Sequence, residues 1–138
     1  MPNGIDLLLA DHQLVNELFA EFQEKQDGAT VGLIVAALTA HDEAEQATLY
    51  PFAASVLDDT ALIERSAAAH SMVKKQFDIM SALEGPSLVV ACKVLQELVT
   101  EHVEDEEANL LPALAEAATP QQLEALGARI LQAKQRGG

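Results

Sequence analysis

Four histidines and two glutamates hold the chemistry open to this sequence. His12, His41, His70 and His102 are all the histidines of the chain, and Glu45 and Glu106 follow His41 and His102 by four residues each. On a helix that spacing sets acid and imidazole about one turn apart on one face. Seven residues before the histidines stand Ile5, Ile34, Ile63 and Leu95, and three before stand Leu9, Leu38, Ala67 and Val99, all apolar. Positions i, i+4 and i+7 share a helical face, so each imidazole points with apolar neighbours toward a core.

Taken singly, a histidine on an apolar face is more often a hydrogen-bonded core residue than a metal ligand. Four buried without partners would cost about 1–3 kcal/mol each. A chain with one Tyr and no Trp supplies few partners for them. Glu45 and Glu106 would be buried charges in the same region, which cations would offset. Within EHVEDEEANLLP, residues 101 to 112, Glu101, Glu104 and Glu107 read as a solvated face and Glu106 as the inward acid. Imidazole and carboxylate donors without a thiolate suit first-row metals better than calcium or magnesium. Six protein ligands exceed one tetrahedral zinc, so two metals bridged by Glu45 and Glu106 fit better, each holding two histidines. No histidine has a glutamate three residues before it, as ferritin-like sites require. Zinc-protease, nucleophile-elbow and phosphate-loop motifs are missing from the sequence as well.

The elements that must position these residues are helices. Asp27-Gly28, Pro51, Asp58-Asp59-Thr60, Gly85-Pro86 and Thr119-Pro120 punctuate segments whose apolar residues recur at three and four. The predicted helices span 4–26, 30–56 with a disturbance at Pro51, 60–84, 87–117 with one at Pro112, and 120–135, the last capped by Thr119 with Pro120 at its first position. The expected fold is all-α: an up-down-up-down four-helix bundle at about 4–117 with a short C-terminal fifth helix, in one domain over 1–138. One histidine falls on each long helix, 29, 29 and 32 residues apart, so the four can meet at a similar depth. Cys92 reads as core, and Phe19, Phe22, Met72, Phe77 and Met80 as bundle packing.

Eight Lys and Arg against 22 Asp and Glu give a net charge of −14, which disfavours nucleic acid and anionic membranes as partners. The first residues carry neither a basic region nor a long apolar run, so the expected location is the cytoplasm.

A histidine in helix one, His-x-x-x-Glu in helix two, a histidine in helix three and His-x-x-x-Glu in helix four resemble the hemerythrin family of cation-binding bundles. The segments ADHQLVNELFAEF, HDEAEQATLYPF and EHVEDEEANLLPAL are similar to the matching segments of bacterial members. The resemblance implies a non-haem site of two iron ions with an oxo or hydroxo bridge. His12 and His41 would serve one iron, His70 and His102 the other, and Glu45 and Glu106 would bridge. It further implies binding of dioxygen or nitric oxide, or alternatively redox chemistry on peroxide or release of iron for cluster repair.

Oxygen-carrying members have a second histidine four residues after the first in helix three, where this chain has Lys74. An ammonium cannot ligate, so both irons would keep an open position. Lys74 either reaches solvent along its aliphatic stem or offers a hydrogen bond to a bound anion. Tyr50, nine residues after His41, falls about half a turn off the ligand face of an ideal helix. It reads as packing at the bundle end, or, if Pro51 distorts the helix, as a replacement ligand or a donor to a bridging carboxylate.

Overall fold

The side chain of Asn3 accepts from the Ile5 amide at 2.7 Å and starts α1, Gly4–Lys25. A computed structural model describes residues 2–137, all of its regular elements being helical. Gln26 closes α1 with a left-handed φ of 49°, and Asp27 caps the next helix by accepting from the Thr30 amide at 2.8 Å. That helix begins at Gly28, two residues earlier than expected, because Asp27 supplies its cap. Gly28–Ala44, a π-helical turn Glu45–Leu49 and Tyr50–Val56 form one continuous rod, α2. The third rod, α3, is Ala61–Ser81. It stops short of the expected residue 84, because the chain must reverse and leave Glu84 extended before Gly85 and Pro86. Gly85–Asp105, a second π-turn Glu106–Leu110 and Leu111–Ala117 make up α4. Thr119 and Gln122 then exchange side-chain and backbone hydrogen bonds at 2.8 and 3.1 Å, a capping box that opens α5, Pro120–Gly137.

The disturbances expected at Pro51 and Pro112 lie in the preceding turn. A proline removes an N–H and presses its ring on the carbonyl four residues back. Widening the turn so that the Tyr50 and Leu111 amides donate to the Glu45 and Glu106 carbonyls, five residues back, lets each helix continue past the proline. Both π-turns begin on a glutamate of the candidate site.

α1 to α4 form the four-helix bundle, and its core falls into two apolar clusters. One contains Val15, Phe19, Phe22, Ile34, Leu95 and the buried Cys92. The other contains Leu8, Leu49, Phe52, Leu110, Leu126 and Ile130, and so takes in α5. In α1, α2 and α4 the candidate residues lie between the segments that build these clusters. Met72, expected in the packing, is 54% exposed: two residues after His70 is over half a turn round the helix. Leu9 is exposed also, and Leu8 takes the inward position.

α5 docks on α1 through small residues. A Cβ on Gly127 would lie 2.2 Å from the Pro2 carbonyl oxygen, and one on Gly4 would lie 2.6 Å from Leu126 Cγ. No side chain fits between the helices there. Among the described residues, no helix is long and apolar enough to cross a membrane.

Candidate metal centre

The six residues with metal-ligand chemistry come together from four helices, and all are buried. His41 Nε2 and His70 Nε2 lie 3.0 and 2.9 Å from the same oxygen, Glu45 Oε1. His12 Nε2 is 3.2 Å from Glu106 Oε1, and His102 Nε2 is 3.3 Å from Glu106 Oε2. The Nε2 atoms of His70 and His102 are 2.9 Å apart. All four rings therefore turn Nε2 inward. Glu45, His70, His102 and Glu106 can bring one donor atom each to within 4.8 Å of one another, and so can His12, His41 and Glu106. Glu106 is common to both groups.

The donor set fits cations. The Nε2 atoms of His12 and His41, both Glu45 oxygens and Glu106 Oε1 are buried without a hydrogen-bond partner, although they lie within reach of one another. Such atoms cost about 1–3 kcal/mol each when left unmatched, and converging lone pairs repel unless something positive stands among them. Protons can play that part. Burial alone would depress the His41 imidazole, yet the Glu45 charge beside it and the bond to Asp11 push its pKa up to about 10. His12 and His70 are raised as well, against burial, by the nearby Glu106 and Glu45 carboxylates. Glu45 is held well below the ordinary carboxylate range, also against burial, chiefly by the His41 charge. Glu106 moves up, first through burial and then through the Glu45 charge. A metal ion entering this cluster takes the place of protons.

Three of the four outward nitrogens are held by carboxylates from neighbouring helices, while His102 Nδ1 is buried without a partner among the described residues. His41 Nδ1 donates to Asp11 Oδ2 at 2.9 Å, His12 Nδ1 to Glu107 Oε2 at 2.7 Å, and His70 Nδ1 to Asp42 Oδ1. This corrects one expectation: the chain does supply imidazole partners. Glu107 is exposed, as its solvated reading expects, and still reaches back to His12. Each of these acids is the immediate chain neighbour of a cluster residue: Asp11 of His12, Asp42 of His41, Glu107 of Glu106. One residue along a helix is about 100° of rotation, which carries the side chain from the core to the seam with the next helix. That adjacency was the available signal.

Tyr50 approaches the cluster. The π-turn shifts the helix phase by about one residue, so the phenol comes round from its expected place and lies 2.7 Å from Ser66 Oγ. Ser66 donates to Glu106 Oε2 at 3.1 Å. Burial and the nearby Glu45 charge push the Tyr50 pKa upward, so it remains a neutral phenol. The Lys74 side chain is 56% exposed, with Nζ 3.1 Å from Asp42 Oδ2. It borders a cavity of about 390 Å³ that also reaches all four histidines. The mouth carries Thr39, Glu43, Lys74 and Asp78, and Leu38, Val73 and Val99 form apolar walls.

The family described as Hemerythrin HHE cation binding domain matches residues 3–114. A DNA nickase of Nostoc sp. is 30% identical over 125 residues, an alignment covering 86% of this chain and 35% of that protein. The chain thus spans about a third of that relative's length. Among solved structures, a hemerythrin HHE cation binding domain-containing protein from Mycobacterium kansasii superposes with a TM-score of 0.87 at 21% identity, covering 99% of this chain and 88% of that one. At that identity the likeness speaks for the fold.

Proposed function

The chain belongs to the hemerythrin HHE cation binding domain family, and from that premise we propose a non-haem di-iron protein that binds dioxygen or a related small ligand such as nitric oxide. His12 and His41 would hold one iron, His70 and His102 the other, and Glu45 and Glu106 would serve both. The observation that carries this reading is the sharing of Glu106 between two groups of buried donors. Two irons held there would supply the electrons that dioxygen, nitric oxide or peroxide takes up. Asp11, Asp42 and Glu107 fix three of the rings by accepting at Nδ1, and the apolar clusters on either side exclude water from the bridging acids. We take residues 1–138 as one domain, working in the cytoplasm, with the bundle carrying the site and the C-terminal helix bracing it.

The cavity favours peroxide chemistry as a second reading. A carrier gains from a dry, closed pocket, whereas this opening of about 390 Å³ has charged side chains at its mouth. Lys74 there can offer a hydrogen bond to an anionic ligand. The nicking activity in the relative's name is not carried over, since a net charge of −14 works against contact with a phosphate backbone.

Iron analysis and optical spectroscopy test both readings. Loaded protein should hold two irons per chain; after anaerobic reduction, a persistent and reversible spectrum on adding oxygen supports ligand binding. Rapid irreversible oxidation, with oxygen evolved from added peroxide, supports the enzyme. A chain that retains no iron sinks both.

A further inference from the structure

Asp11 divides its two oxygens between two helices. Oδ2 accepts from His41 Nδ1 at 2.9 Å on α2, and Oδ1 accepts from the Lys134 ammonium on α5. We propose that Lys134 is a positioning residue for the metal centre: from the fifth helix it anchors Asp11, and Asp11 orients the His41 ring so that Nε2 turns inward. The proposal rests on reading the cluster as a metal site, and it adds an element lying outside residues 3–114, the span matched by the family.

The register of the two helices makes the contact a built one. α1 and α5 run in the same direction, locked where Gly127 meets Pro2 and where Gly4 meets Leu126. Asp11 lies seven residues beyond Gly4 and Lys134 seven beyond Gly127, two turns along each helix. The close approach that admits no side chain therefore also sets acid opposite ammonium. Shelter from solvent matters as well. Lys134 is 30% exposed and Asp11 15%, whereas Lys74, which touches Asp42 behind His70, is 56% exposed. Exposed ion pairs hold geometry poorly, so Lys134 is the firmer of the two anchors. Without it, Asp11 keeps the His41 bond but loses the second contact that fixes its plane, so the carboxylate can turn and the His41 ring with it.

The test is a cobalt(II) titration of the full chain, read by affinity and by the visible ligand-field bands. Lys134→Met should weaken cobalt binding about tenfold, the scale on which partners of metal-bound histidines act, and should alter the bands. Lys134→Arg should restore both. In an Asp11→Asn background, Lys134→Met should have no further effect, because the lysine acts through that carboxylate. Unchanged affinity and bands in Lys134→Met overturn the proposal while leaving the metal site standing. So does a further loss of full size in the Asp11→Asn background. Absence of cobalt binding by the unaltered chain overturns the site assignment and this proposal together.

Discussion

Glu107 and His12 stand 95 residues apart in sequence and 2.7 Å apart in the bundle, the acid accepting from Nδ1 across the seam between α4 and α1. In the neutral ring this bond keeps the proton on Nδ1 and leaves Nε2, the atom that faces Glu106, free for a cation. We expect Glu107→Ala to lower metal affinity by about 10–100-fold, while Glu104→Ala, three residues away and exposed, changes nothing. Competition against a chelator of known affinity measures both.

The buried acid and imidazole differ from their neighbours in the same stretch. His102→Ala and Glu106→Ala should each reduce bound iron markedly, with Glu104→Ala as the control. Equal metal content in the three variants contradicts the ligand assignment.

Ser66 joins Tyr50 to Glu106 through one hydroxyl. Ser66→Ala removes a donor from a buried oxygen and should destabilise the metal-free protein by about 1–3 kcal/mol. Tyr50→Phe removes only the outer end of the relay, so its cost should be nearer 1 kcal/mol, and the double variant should lose less than the sum. Urea unfolding of the metal-free protein gives all three values. Strict additivity would mean that the relay does not act as a unit.

The protonation pattern sets the pH dependence of the metal-free protein. His41 is raised from 6.5 to about 10, so its stabilising share is complete below 6.5 and disappears as pH climbs toward 10. Glu106, also raised, loses its share as pH rises above its ordinary 4.5. Glu45 is depressed below 4.5 and loses its share as pH falls beneath that value. Stability without metal should therefore peak near about pH 5 and fall on the alkaline side. Metal should reverse that slope, since the imidazoles must shed protons to bind it. Melting curves with and without metal from pH 5 to 9 compare the two slopes, and parallel curves would refute the exchange of protons for cations.

Gly127 meets the Pro2 carbonyl where no Cβ fits. Gly127→Ala should cost about 1–3 kcal/mol through overpacking and lower the melting temperature by several degrees. Gly28→Ala is the contrast, because a Cβ there meets nothing within 4 Å.

Local spacing fixed a good part of this protein in advance. Apolar residues seven before each histidine, and a glutamate four after two of them, assign those side chains to the inner face of a helix whatever the helix packs against. The punctuation at Asp27-Gly28, Gly85-Pro86 and Thr119-Pro120 divides the chain into rods of the right length for a bundle, and the structure has its boundaries within a few residues of those places.

Tertiary packing decided what happens at the seams. Asp11, Asp42 and Glu107 stand one residue away from cluster residues, and nothing in their spacing says whether they face water or the next helix. That choice depends on the rotation and register of a neighbouring rod distant in sequence, which the two apolar clusters and the Gly4 and Gly127 contacts set together. Tyr50 illustrates the same limit within one helix. Its face follows from counting residues only while the helix stays regular, and the π-turn before Pro51 changes the count by about one. Periodicity is a property of a single helix, whereas the partners of a buried nitrogen belong to several, so the sequence determined the inner face and the assembled bundle determined the company it keeps.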